Sequence, residues 1–215
     1  MDGGSEIDAE KALSQLVRTV DDVIQVSKSI AGKITHVATA SFWHSIVGVD
    51  RDRKPTTKVL SWADNRSRDF VPVLRKKLDE SEVHNRTGAR FHSSFWPAKL
   101  LWLRKKQPGA FSKTAQWLSL SDFLSLKLFG DSSTSISMAS ATGIFDIRKC
   151  EWDKPLQRSL KLQRSHLPHI AEPSQSFQLK PKFLKRWPRL AEAAWFPAIG
   201  DGAANNIGSA CVTKD

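Results

Sequence analysis

A chain of 215 residues, 40% apolar and 26% charged, has the balance of a folded domain with a buried core, which excludes a disordered tail. No window approaches the roughly 18 uninterrupted apolar residues of a membrane helix, and the start MDGGSEIDAEKAL lacks the basic end and apolar centre of a signal peptide, so the cytoplasm is the default expectation. The net charge of +11 raises nucleic acid as a partner, but the basic residues lie apart, in RKK at 75–77, RKK at 104–106 and LKPKFLKRWPR at 179–189, without an RNA-binding aromatic signature, zinc finger or heptad array. They read as solvated helix faces and loop ends, so neither nucleic acid nor membrane is an expected partner.

Apolar residues Leu13, Leu16, Val17, Val20, Val23 and Ile24 recur at steps of three and four and predict an amphipathic helix over 6–30, with Asp8 as N-cap and Gly32 as stop. The β-branched runs on either side of DRDRKP predict strand, loop, strand. Residues 67–79 return to helix, capped by Ser67, with Pro72 in the first turns where its missing N–H matters least. A helix from Pro97 is interrupted before Pro108; a short strand and a helix from Ser121 to Gly130 follow. TGIFDIRKCEW is strand-like, DKPLQRSLKL is a helix capped by Asp153, and a proline-rich loop leads to WFPAIGDGAANNIGSA. No repeat or low-complexity linker divides the chain, so one mixed α/β domain is expected.

Three places could hold chemistry. Asp201 stands between Gly200 and Gly202 after a strand-like run. Glycines there allow positive φ and a close approach of backbone to ligand, and the small residues that follow predict a helix whose N-terminus would face an anion. The competing reading is a hairpin turn, since Asp-Gly favours type I′. Trp43 and His44 lie in a strand-like run, where a lone histidine is more often structural. In WADNRS, extended geometry puts Asp64 and Arg66 on one side, able to hydrogen-bond one polar ligand; capping by Asp64 or Ser67 with a surface arginine is the alternative. Cys150 and Cys211 form no spacing motif, and no H-x-x-x-H or C-x-x-C occurs, so no metal centre is expected.

Taken together, the order of these segments resembles the FGGY family of carbohydrate kinases. SFWHSIVGVDRDRKPTTKVLSWADNRS is similar to the family's early sugar-contacting stretch and its W-x-D-x-R motif. The run from TGARF through KLLW and SDFL to LFG resembles its middle section, SMASATGIFDIRKCEWD its A-S-x-T-G run, and AIGDGAANNIGSAC its G-D loop. The wording of SMAS and of WPRLAEAAWFPAIGDGAANNIGS leans toward gluconate-kinase-like members.

The resemblance implies an actin-like, ribonuclease H-like α/β domain spanning 1–215, with sugar and ATP bound between two such domains. It implies Asp201 as the catalytic carboxylate, accepting a sugar hydroxyl proton as that oxygen attacks the γ-phosphate, with Gly200 and Gly202 in the phosphate loop and Mg²⁺ with the nucleotide. Trp43, His44, Trp62, Asp64 and Arg66 fall on its substrate-contacting positions. The family's opening D-x-G-T-[ST] hairpin and its second domain have no counterpart here, Ser135 stands where many members have Asp, and Ala141 where Gly is frequent. The expectation is therefore an incomplete domain with an exposed sheet edge and poor or no activity. A non-catalytic remnant that binds sugar or a partner is the alternative, and a homodimer remains open.

Overall fold

A computed structural model describes residues 2–211 and 213. In chain order the elements are β1 (Glu6–Ile7), α1 (Ala9–Val26), β2 (His36–Val37), β3 (Ala40–Ser41), β4 (Val47–Val49), β5 (Val59–Leu60), α2 (Val71–Lys77), α3 (Glu80–Thr87), α4 (Trp96–Lys106) and α5 (Pro108–Lys113). Then come β6 (Gln116–Leu118), α6 (Leu120–Leu128), α7 (Ile136–Ser140), β7 (Phe145–Asp146), β8 (Glu151–Trp152), α8 (Lys154–Ser159), α9 (Pro181–Arg186), β9 (Ala194–Trp195), β10 (Ile199–Gly200) and α10 (Asp201–Gly208). The chain is mixed α/β, as its pattern predicts.

Helix α1 begins where expected: the Asp8 carboxylate accepts the Lys11 N–H at 2.9 Å. Leu13, Leu16, Val17, Val20 and Ile24 pack onto a core of Phe183, Trp187 and Trp195. Val23, expected on that face, is exposed instead. The helix passes into a 3-10 turn at Ser27–Ser29, short of Gly32, whose φ of +107° lies in the loop beyond.

Strands β4 and β6 pair antiparallel, Gly48 opposite Trp117, and β5 joins them through the bridge from Ile46 to Leu60. Val47, Val49 and Val59 are buried with Leu118 and Phe123 beneath α6. Ser119 caps α6: its hydroxyl accepts the Asp122 N–H while Asp122 accepts the Ser119 N–H, a reciprocal pair that starts the helix at Leu120, one residue before the expected Ser121. Ser67 is likewise not a side-chain cap; its hydroxyl donates to the Ser93 carbonyl at 3.0 Å, and a 3-10 turn at Arg68–Phe70 leads into α2. The run expected as one strand after Thr142 is a tight hairpin, β7 against β8, with Cys150 at φ 53° in its turn.

Two parallel pairs join distant parts of the chain: β2 with β9 (His36 opposite Ala194) and β3 with β10 (Ser41 opposite Gly200). Among the described residues β2 and β3 have strand partners on one side only. Val26, Ile30 and Ile207 are exposed, in keeping with the expected sheet edge and uncovered apolar surface. No helix among the described residues is long and apolar enough to cross a membrane.

Asp153 is the cap expected for α8, and more. Its carboxylate is fully buried, accepts the Leu156 N–H at 2.7 Å and pairs with Arg86 of α3. Asp153→Ala is expected to cost about 3 kcal/mol, from a lost cap and a half-buried guanidinium left unpaired, read as a lower urea midpoint; Asp153→Asn, which keeps an acceptor at the cap, should cost less.

Candidate active site

Because β3 and β10 are parallel, their carboxyl ends emerge side by side, the place where open α/β sheets bind ligands. Phe42, Trp43 and His44 leave β3 there, and Asp201 leaves β10 as the first residue of α10, so no hairpin forms at the Asp-Gly step. The exposed Asp201 carboxylate accepts the Gly202 N–H at 2.9 Å through Oδ1.

The two glycines have a different reason from the one expected. Gly200 has φ −71°, ordinary for any residue, and Gly202 is not in the left-handed region either. What excludes a side chain is Trp43: a Cβ on Gly200 would overlap the indole at Nε1, and one on Gly202 would lie 2.5 Å from its Cζ3. The N–H groups of both glycines are also engaged inside the protein, Gly200 with the Ser137 hydroxyl at 3.0 Å and Gly202 with Asp201. The two glycines are thus the floor on which the tryptophan lies. The Trp43 Nε1 is enclosed with no hydrogen-bond partner.

His44 adopts φ 66°, uncommon outside glycine. Its Nδ1 donates to the Ala141 carbonyl at 2.6 Å and its ring meets Phe95 edge-on at 4.7 Å between centroids. Burial pulls its pKa below the usual histidine value, outweighing the Ala141 bond; the charges of Lys99 and Asp201 act on it in opposite senses. His44 is thus neutral at pH 7, its proton on Nδ1, which leaves Nε2 as an acceptor.

Trp62, Asp64 and Arg66 form a second group on a turn closed by the Asp64 N–H to the Ser61 carbonyl, not on an extended strand. Asp64 and Arg66 face each other rather than a shared ligand. Asp64 is 1% exposed and accepts the Ser5 N–H at 2.9 Å and the Arg66 Nη2 at 2.6 Å. Arg66 reaches on to Glu6 at 2.6 Å and lies 4.5 Å over the Trp102 ring. The pair thereby ties the β1 segment to the turn, and Trp62, 58% exposed, is the member left to face solvent.

Sequence reasoning missed Lys99. It rises from α4 with no exposed surface, and its Nζ donates to the His44 carbonyl at 2.8 Å and the Ser61 carbonyl at 2.6 Å, linking the two groups. A signal existed: Lys99 stands three residues after Trp96 and four before Leu103, both buried, so the α4 periodicity turns it inward. Ser137 was missed as well, and Ser135 was marked only as a departure from the family's Asp. Ser135 caps α7 and donates to the Ala198 carbonyl at 2.6 Å, and with Ser137 it holds β10 in place.

Burial brings Lys99 down to about 7. Its folded value lies below its unfolded one, so the unfolded chain binds the proton more tightly, and stability from this group rises with pH between about 7 and 10, by at most ~1.4 kcal/mol per unit. Urea unfolding at pH 7 and pH 9 should show this gain in the wild type, and Lys99→Met should reduce it.

Residues 1–208 match the N-terminal domain of the FGGY family of carbohydrate kinases. The gluconokinase of Bacillus subtilis is 26% identical over 183 residues, 85% of this chain and 36% of that protein. The xylulose kinase of Escherichia coli is 26% identical over 166 residues, 77% of this chain and 34% of that one. Among solved structures, a ligand-bound xylulose kinase from Lactobacillus acidophilus superposes with TM-score 0.89 at 27% identity, and a gluconate kinase from the same organism with 0.88 at 28%; each match covers 96% of this chain and 42% of the other. The chain thus spans well under half the length of these relatives, and its fold is that of their actin-like N-terminal lobe, incomplete. With nearly its whole length matched, the chain belongs to the FGGY family of carbohydrate kinases.

Proposed function

We propose that this chain carries the sugar side of an enzyme that transfers the γ-phosphoryl group of ATP to a hydroxyl of a sugar or sugar acid, with a gluconate-like substrate. The observation that supports it is the convergence of Trp43, His44 and Asp201 at the adjoining carboxyl ends of β3 and β10.

Asp201 is the base. One carboxylate oxygen is turned to the Gly202 N–H, and the other takes the hydroxyl proton as the sugar oxygen attacks phosphorus. The neutral His44 accepts a second sugar hydroxyl at Nε2, which orients the ring of the substrate. Trp43 and Trp62 offer apolar faces to its C–H groups. Asp64 and Arg66 act at one remove, holding the turn from which Trp62 projects. The +11 charge favours an anionic substrate.

ATP supplies the phosphoryl group. Mg²⁺ is expected with it, but among the described residues no three His, Cys, Asp or Glu side chains converge on a metal position.

Calorimetry with gluconate, xylulose and glycerol, alongside an assay for ADP release, tests this. Asp201→Asn should bind sugar nearly as the wild type does while losing about 10²–10⁴ of any turnover, the usual worth of a general base. His44→Ala should weaken sugar binding roughly tenfold, one lost hydrogen bond to a buried group. Sugar binding by the wild type without ADP release would favour the binding-only alternative, and failure to bind any of the three would sink the reading.

A further inference from the structure

Nothing in the chemistry of phosphoryl transfer calls for a fully buried lysine behind the sugar side of the cleft, yet Lys99 is there. Its helix also sends Trp96 to the next carbonyl along, the Trp96 Nε1 donating to Ser45 at 2.9 Å. Two successive carbonyls, of His44 and Ser45, are therefore held by two side chains one turn apart on α4. Between them they fix the peptide on which His44 keeps its left-handed φ, a conformation that persists only where its surroundings over-determine it. The second Lys99 bond, to the Ser61 carbonyl, falls immediately before Trp62.

We propose that Lys99 is a positioning residue: one side-chain nitrogen, bound at once to the carbonyls of His44 and Ser61, sets the His44 imidazole and the Trp62 turn at a fixed separation for the sugar. The proposal rests on the reading of His44 and Trp62 as sugar contacts. The grouping is self-contained in charge. Lys99 faces Asp64 on the turn, and His44 on the β3 side feels Lys99, Asp201 and His92. Arg66 is taken up by Asp64 and Glu6. A lysine suits the task better than an arginine, because a tetrahedral nitrogen can meet two carbonyls arriving from different directions, where a planar fork prefers a bidentate partner.

The first part of the test reads the wild-type chain: an NMR pH titration follows the Lys99 ¹⁵Nζ and the backbone ¹³C′ of His44 and Ser61, with His44→Gln used only to assign the imidazole. The Ser61 carbonyl, which carries no titrating side chain, should step at the midpoint of Lys99, and the His44 carbonyl should show the same step beside its own. Carbonyls indifferent to Lys99 would overturn the proposal. The second part uses Lys99→Met, which keeps the stem and removes the nitrogen. The His44 pKa should rise while that of His166 stays put, and affinity for the sugar bound by the wild type should fall at least tenfold. A variant with unchanged His44 titration and affinity would overturn the proposal even if its melting point fell, because that is the behaviour of a lysine that only fills the core. A wild type that shows the shared carbonyl step but binds no sugar would leave the brace standing and remove the sugar reading.

Discussion

The pairing of Ala40–Ser41 with Ile199–Gly200 is the constraint on which the site depends. It joins segments from opposite ends of the chain in parallel, and parallel pairing alone makes the residues after both strands leave on the same side. An antiparallel pairing would send Trp43 and Asp201 to opposite ends of the sheet. The strands are two residues long, so the ladder itself contributes little. It is held in register by neighbours: Ser135 on the Ala198 carbonyl, Ser137 on the Gly200 N–H, and the parallel pair β2–β9 just before it in both segments.

Around that ladder the protein spends buried polar groups in a consistent way. Asp64, Lys99 and Asp153 are all withdrawn from water, and each satisfies several partners, at least one of them from a distant part of the sequence. Burial of a lone charge is costly, so such groups persist where they tie elements together. Asp64 ties β1 to the turn before α2, Lys99 ties α4 to the His44 and Trp62 segments, and Asp153 ties α3 to α8. None of the three contacts is local, and together they surround the central core of Trp96, Leu100 and Phe145.

How much of this could be read in the amino-acid order depends on range. The stripe of α1, the cap at Asp8 and the cap at Asp153 are legible because their partners lie within one helical turn. The start of α6 slipped by one residue because Ser119 and Ser121 in LSLSD compete for one cap, and only Ser119, with Asp122 three places later, completes the reciprocal pair. Asp201 stood out through its glycines, although for a reason that the indole of Trp43 supplies, 157 to 159 positions away. Lys99 was hidden for the same cause: lysine is ordinarily a surface residue, and its acceptors lie 38 and 55 positions away. The turn at Trp62 was taken as extended because nothing within it announces that Asp64 will be claimed by Ser5.

The packing of Trp43 onto Gly200 and Gly202 bears on how a protein of this kind can diverge. On the proposed reading, position 43 lies on the face that meets the sugar, where change would be the route to a new substrate, while 200 and 202 flank the proposed catalytic carboxylate, where change would be ruinous. Because the indole occupies the volume a β-carbon would need, these positions cannot drift independently. A smaller residue at 43 would leave an apolar vacancy above the loop that an alanine at 200 could fill, and a return to tryptophan would then be barred. The order in which such replacements arrive is thereby constrained: the recognition face must shrink before the loop can thicken, and a lineage that has taken both steps cannot reverse the first alone.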